Sequence, residues 1–163
     1  MSFTVTVKRN KRVDLSKVQT SLRGPTKVAV GFPGGESDGK NIQKAYFNEF
    51  GTRGSGKGFG TERGGGFGGP IPERPFMRNS MRDNSAKYQT AMKAGAKEIM
   101  LSQTSLGGVL TKLGALAARD IQDEIAALSS PPNSPVTIEI KGSANPLIDS
   151  GEMRGDVKWR IIR

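Results

Sequence analysis

The chain contains neither cysteine nor histidine among its 163 residues. Without cysteine there can be no disulfide framework and no thiolate metal site. Without histidine the usual general base, the Ser-His-Asp arrangement and the commonest zinc ligand are all missing, which closes most hydrolase mechanisms. No apolar run approaches the ~20 residues a bilayer span requires. Met1 to Arg12 is polar and alternating, without a signal-peptide core. The expectation is cytoplasmic synthesis, no membrane partner and no cofactor. Hydrophobic residues are also scarce, at 34%, while glycine numbers 22. That balance predicts a modest folded body with a long excursion outside the core. The length suits a single domain over 1–163.

What is present in excess is positive charge: 25 Lys and Arg against 15 Asp and Glu, a net +10. Such a surface attracts either nucleic acid or an acidic protein face, and charge alone does not choose between them.

The apolar pattern predicts α+β: a small, mostly antiparallel sheet packed against a few helices. Phe3, Val5 and Val7 alternate with Thr4, Thr6 and Lys8 as in a strand. Asp14 can cap a short helix with Leu15, Val18 and Leu22 on its apolar face. Lys27 to Phe32 reads as a second strand, closed by Pro33-Gly34-Gly35. Ile42, Ala45, Tyr46 and Phe50 recur at helical spacing, with Gly51 placed to end that helix in a left-handed conformation. A mostly helical stretch then runs from Phe76 to Leu106, with a break expected at Gly107-Gly108. Beyond it, Val109, Leu113, Leu116, Ile121, Ile125 and Leu128 mark the clearest amphipathic helix. Val136, Ile138 and Ile140 alternate like a strand, yet Ser134-Pro135 reads as a helix start. Val157, Trp159 and Ile161 form a closing strand that faces the core. Met77, Met81, Met92 and Met100 read as helix-core filler.

Residues 51–70 hold ten of the glycines and form a long loop. Within it Arg53, Lys57 and Arg63 interleave with Phe59 and Phe67. This composition suits a docking arm that orders on a protein partner, or an arginine- and glycine-rich nucleic-acid segment. Neither this loop nor any other segment carries a GxxxxGK[ST] phosphate cradle. Asp120, Asp123 and Glu124 lie within one helical turn, where a solvated face is the simplest reading and a cation site the sharper one. Pro72 and Pro75 stiffen the exit of the loop, and Arg74 and Arg78 are expected to project charge beside Phe76 as part of an interface.

Several segments, in order, resemble the tailed-bacteriophage virion morphogenesis family of tail-completion or neck proteins. They are Val28 to Phe32 (VAVGF), Asn48-Glu49-Phe50-Gly51-Thr52 (NEFGT), Ile71 to Phe76 (IPERPF), Leu113 to Ile125, Pro131 to Pro135 with Thr137-Ile138 and Lys141-Gly142, and Asn145 to Met153 (NPLIDSGEM). In the last, Leu147 and Ile148 are apolar anchors, Asp149 can cap the turn through Gly151, and Met153 returns to the core. The resemblance covers roughly residues 28–160. It implies a non-enzymatic virion protein assembled in the host cytoplasm. Its subunits would close a homo-oligomeric ring, a hexamer, between a portal-side head-completion or connector protein and a tail terminator or tail tube protein, with genomic DNA passing non-specifically through the lumen. In that family the 136–141 stretch is usually a short helix, and NEFGT is followed closely by IPxRPF, whereas here the glycine-rich segment separates them. The alternative from a different class is a basic nucleic-acid-binding protein that uses the Gly/Arg/Phe loop.

Overall fold

A computed structural model describes residues 13–53 and 70–162. The strand expected at Phe3 to Val7 lies outside the described residues, as does the stretch 54–69 with Lys57, Phe59, Arg63 and Phe67. The described chain runs α1 (Leu15–Ser21), β1 (Lys27–Gly31), α2 (Gly39–Phe50), α3 (Phe76–Asp83), α4 (Ser85–Met100), α5 (Leu106–Ala127), α6 (Pro135–Lys141), α7 (Glu152–Gly155) and β2 (Lys158–Ile162). The class is α+β, as the apolar pattern predicts.

The organising element is α5, a helix of 22 residues that spans roughly 33 Å at 1.5 Å per residue. Its buried stripe changes character along its length. Val109 and Leu110 lie near the start, the small residues Gly114, Ala117 and Ala118 in the middle, and Ile121 and Ile125 near the end. The small middle lets the sheet approach closely. A Cβ at Gly114 would stand 2.8 Å from the Trp159 ring and 2.9 Å from a Val28 methyl. The strands β1 and β2 pair antiparallel across this stretch, with Val30 opposite Trp159 and Gly31 opposite Lys158. Toward the C-terminal half of α5 the core gathers Phe76, Ile121, Ile125, Leu128, Leu147, Met153 and Val157, with Phe32 edge-on to Phe76 at 6.3 Å between ring centroids.

Several expectations need correction. The break between the long helices falls at 101–105, because Ser105 caps α5 by accepting from the Gly108 N–H. Gly107 and Gly108 therefore sit inside its first turn, where their helix penalty is outweighed by the cap and the packed stripe. Leu15 and Leu22 do not form a buried face, although Asp14 does cap α1. Met77 and Met81 pack against the core, whereas Met92 and Met100 are exposed on α4. Of the closing strand's apolar residues only Val157 is fully buried; Trp159 and Ile161 are half-buried. The ambiguous stretch is the helix α6, with Ser134 capping through the Thr137 N–H at 3.2 Å and Pro135 in the first turn.

Candidate assembly interface

Helix α2 is rotated relative to its sequence pattern: Ala45 is buried and Ile42 half-buried as expected, but Tyr46 and Phe50 are not. Its core-facing stripe is Asn41, Ala45 and Glu49, at four-residue spacing, while Tyr46 is 58% and Phe50 55% exposed. A polar stripe can face inward only if each group finds a partner. Asn41 donates its side-chain amide to Asp156 Oδ2 at 3.2 Å, which also accepts the Asp38 N–H at 2.7 Å. Lys158 pairs with the other oxygen of that carboxylate at 3.1 Å. Burial pushes the Asp156 carboxyl up, but the hydrogen bonds from Asp38, Lys158 and Asn41 outweigh it and hold the group below its usual range.

Glu49 serves the neighbouring helix. Pro75 precedes α3 and supplies no side-chain cap. The Glu49 carboxylate, 1% exposed, takes that role from α2 by accepting the N–H groups of Met77 (2.9 Å) and Arg78 (3.1 Å). An anion on the positive end of a helix is favourable, and these are charge-assisted bonds. Arg78 closes the arrangement: its Nε donates to Glu49 at 2.9 Å, and its Nη2 donates to the Glu49 carbonyl at 2.6 Å and to the Glu73 carboxylate. The guanidinium lies 5.3 Å from the Phe50 ring centroid. Hydrogen bonds to Glu49 and then Glu73 raise its pKa above the ordinary value. Arg78 is thus half-exposed but anchored.

Arg74 is not a surface charge. It is 4% exposed and divides its guanidinium between two chain segments. Nε donates to the Pro131 carbonyl (2.8 Å), Nη1 to Asn48 Oδ1 (3.1 Å), and Nη2 to the Pro132 carbonyl (3.1 Å) and Asn133 Oδ1 (3.2 Å). Its own N–H donates to the Asn48 carbonyl at 2.6 Å. Burial without a carboxylate partner pushes its pKa down. Asn133 continues the chain of contacts by donating to the Asn145 carbonyl at 3.3 Å. Asn145 in turn accepts the N–H groups of Leu147 and Ile148 and donates to Ala126 at the end of α5. Asn48, Asn133 and Asn145 thus link segments far apart in sequence. Asn133, in Pro131 to Pro135, and Asn145, before Pro146, carried local turn signals, whereas the contact of Asn48 with Arg74 had none.

The remaining motif residues divide between core and turns. Phe76, placed at an interface by the sequence, is completely buried, and Leu147 and Met153 are core, with Ile148 half-buried against it. Gly51 ends α2 at φ 67° and ψ 173°, which is not the left-handed helical conformation expected. A Cβ there would meet the Ile71 carbonyl at 3.0 Å and the Glu73 nitrogen at 3.1 Å, so the glycine serves a close approach of backbone to backbone. Beside it, the Thr52 N–H donates to the Ile71 carbonyl at 2.9 Å and the Ile71 N–H to Thr52 Oγ1 at 3.1 Å. The stretch 54–69 thus departs and returns through a hydrogen-bonded gate. Arg53 and Pro72 are exposed at that gate. Asp149 is exposed and does not cap α7; Gly151, at φ 83°, leads into that helix, and Ser150 Oγ accepts the Glu152 N–H.

The acidic turn of α5 is dispersed. Asp120 pairs with Lys87 at 2.5 Å, Asp123 lies near Arg119 and Arg154, and Glu124 accepts from Asn79. Among the described residues no group of carboxylates has the arrangement of a metal site. Tyr88 lies close to Asp120 and Ser80 but outside good hydrogen-bond geometry with either. Burial, then the neighbouring Asp120, pushes its phenol up to about 12. A groove of about 300 Å³ between α4 and α5, lined by Ala91, Gly95, Val109 and Leu116, brings no set of reactive groups together. Compared with family models, curated proteins and solved structures, the chain matches none.

Proposed function

We propose that the protein is a structural, non-enzymatic component of a tailed-phage neck, forming a ring that joins the head connector to the tail. The observation that carries this reading is the convergence around Arg74. Four short segments that resemble neck-protein motifs, separated by up to about a hundred positions, are hydrogen-bonded into one corner: Asn48-Glu49, Arg74, Pro131 to Asn133, and Asn145 to Ile148. These segments bring amides, carbonyls and prolines, not reactive groups, into one hydrogen-bonded corner beside an exposed aromatic helix face. Such a corner suits a load-transmitting subunit that presents fixed surfaces to its neighbours. Deleting the gene from the genome that encodes it should leave filled heads and finished tails unjoined in electron micrographs, and purified protein added back should join them. Normal joined particles without the gene would refute the proposal. If the isolated monomer instead bound nucleic acid tightly, with affinity falling steeply as salt rises, the basic nucleic-acid-binding reading would take its place.

A further inference from the structure

The outer face of α2 carries two large aromatic side chains that the described fold does not bury. Helical spacing puts Tyr46, Phe47 and Phe50 together on the side opposite Asn41, Ala45 and Glu49. Tyr46 and Phe50 pack on each other with ring centroids 5.0 Å apart, and both remain more than half exposed. Lys40 and Lys44, both exposed, flank Phe47 at seven- and three-residue spacing, and Arg78 lies across Phe50. The neighbouring carboxylates are already engaged, Glu73 by Arg78 and Asp38 by the Lys40 N–H at the start of the helix. A helix that turns Tyr46 and Phe50 to solvent and its glutamate to the core gives up local burial, and paired exposed aromatics flanked by lysines mark a docking surface.

We infer that this face docks an acidic protein surface, one that carries aliphatic side chains for the Tyr46–Phe50 pair and carboxylates for Lys40 and Lys44. Charge complementarity selects this occupant. Two copies meeting through this face would set Lys40 and Lys44 against their own counterparts, which is repulsive. Nucleic acid would satisfy the charge, but stacking needs open ring faces. Here the two rings are tilted 49° against each other and one is attended by Arg78, so no platform is offered to a base. The inference does not depend on the neck reading, since it concerns what the face recognises and not where the protein sits.

The test uses the full chain and defined probes: an amphipathic helical peptide with glutamates on one face and leucines on the other, the same peptide with lysine for glutamate, the same peptide with serine for leucine, and a single-stranded DNA oligonucleotide. Binding would be read by fluorescence anisotropy and located by amide shifts in isotope-labelled protein. The acidic leucine peptide should bind, shift the amides of α2, and weaken about tenfold or more in Tyr46→Ser and Phe50→Ser. These substitutions lie on an exposed face, and thermal unfolding would verify that the variants remain folded. The lysine and serine peptides should bind far more weakly. The inference is overturned if the acidic peptide does not bind or binds the variants equally well. It is equally overturned if the oligonucleotide is the probe that loses affinity in the variants. Concentration-dependent self-association that disappears in Phe50→Ser would reassign the face to contacts between copies.

Discussion

Arg74 shows how far a single side chain can decide the architecture. Five donors in a planar fork reach two segments at once, which an ammonium on a flexible stem cannot do. Replacing Arg74 with Met should leave the Pro131 and Pro132 carbonyls and Asn48 without their donor and cost about 3 kcal/mol or more in urea unfolding. Arg74→Lys should recover no more than about 1 kcal/mol of that. A lysine variant as stable as the parent would show that charge, not the fork, holds the corner. Asp156 makes a second residue-scale prediction, this time in pH. Its folded pKa is lowered from 3.8, so its contribution is fully present above that value and is lost as pH falls through the lower folded value. Thermal melts taken through the acid range should therefore fall less steeply for Asp156→Asn than for the parent, and parallel curves would remove Asp156 from the acid limb. Neither residue could be read from sequence. Arg74 looks like any arginine beside a proline, and its side-chain acceptors stand 26 and 57 to 59 positions away. Ser134-Pro135 carried a helix-start signal because cap and proline act within one turn, but the strand-like alternation of Val136, Ile138 and Ile140 left that stretch undecided.

At the scale of elements, legibility followed the range of the interaction that decides each one. The strands at Lys27 and at Lys158, and the existence and approximate place of α2 and α5, follow from apolar periodicity, caps and breakers. Which face of α2 turns inward does not, because Asn41 and Glu49 are drawn to Asp156 and to the uncapped start of α3, both remote in sequence. Glu49→Gln should keep the shape, lose the charge on α3 and the ion pair with Arg78, and cost about 1–3 kcal/mol. Amide exchange should rise at Met77 and Arg78, and unchanged exchange there would mean that the cap is dispensable. The contact of α5 with the sheet gives a sharper test. Alanine favours a helix over glycine by about 1 kcal/mol, yet at Gly114 its methyl would collide with Trp159 and Val28. Gly114→Ala should therefore destabilise by about 1–2 kcal/mol net of that gain, whereas Gly107→Ala, with only Ser105 Oγ at 3.9 Å, should be neutral or stabilising. If both substitutions stabilised equally, the close approach of strand to helix at Gly114 would be wrong.

For the whole molecule, the ends of the glycine-rich stretch are held together in the described body. Thr52 and Ile71 are hydrogen-bonded to each other, and Gly51 lets their backbones meet. The NEFGT and IPERPF segments are therefore joined at the gate itself, on either side of the sixteen residues 54–69. Replacing 54–69 with Gly-Gly should give a short connection between ends already held together. The loop-closure term changes by only ~1 kcal/mol over such a difference in length, so thermal unfolding should remain cooperative and the midpoint nearly constant. The same replacement removes Lys57, Phe59, Arg63 and Phe67, the charges and large apolar groups with which the stretch could engage a neighbour. Under the neck reading, the shortened protein should fold normally yet fail to join heads to tails in add-back. Wild-type joining by the shortened form would leave the stretch without an assembly role. A loss of cooperative unfolding would show that the fold leans on it, and that the bonds between Thr52 and Ile71 are not sufficient to hold the gate.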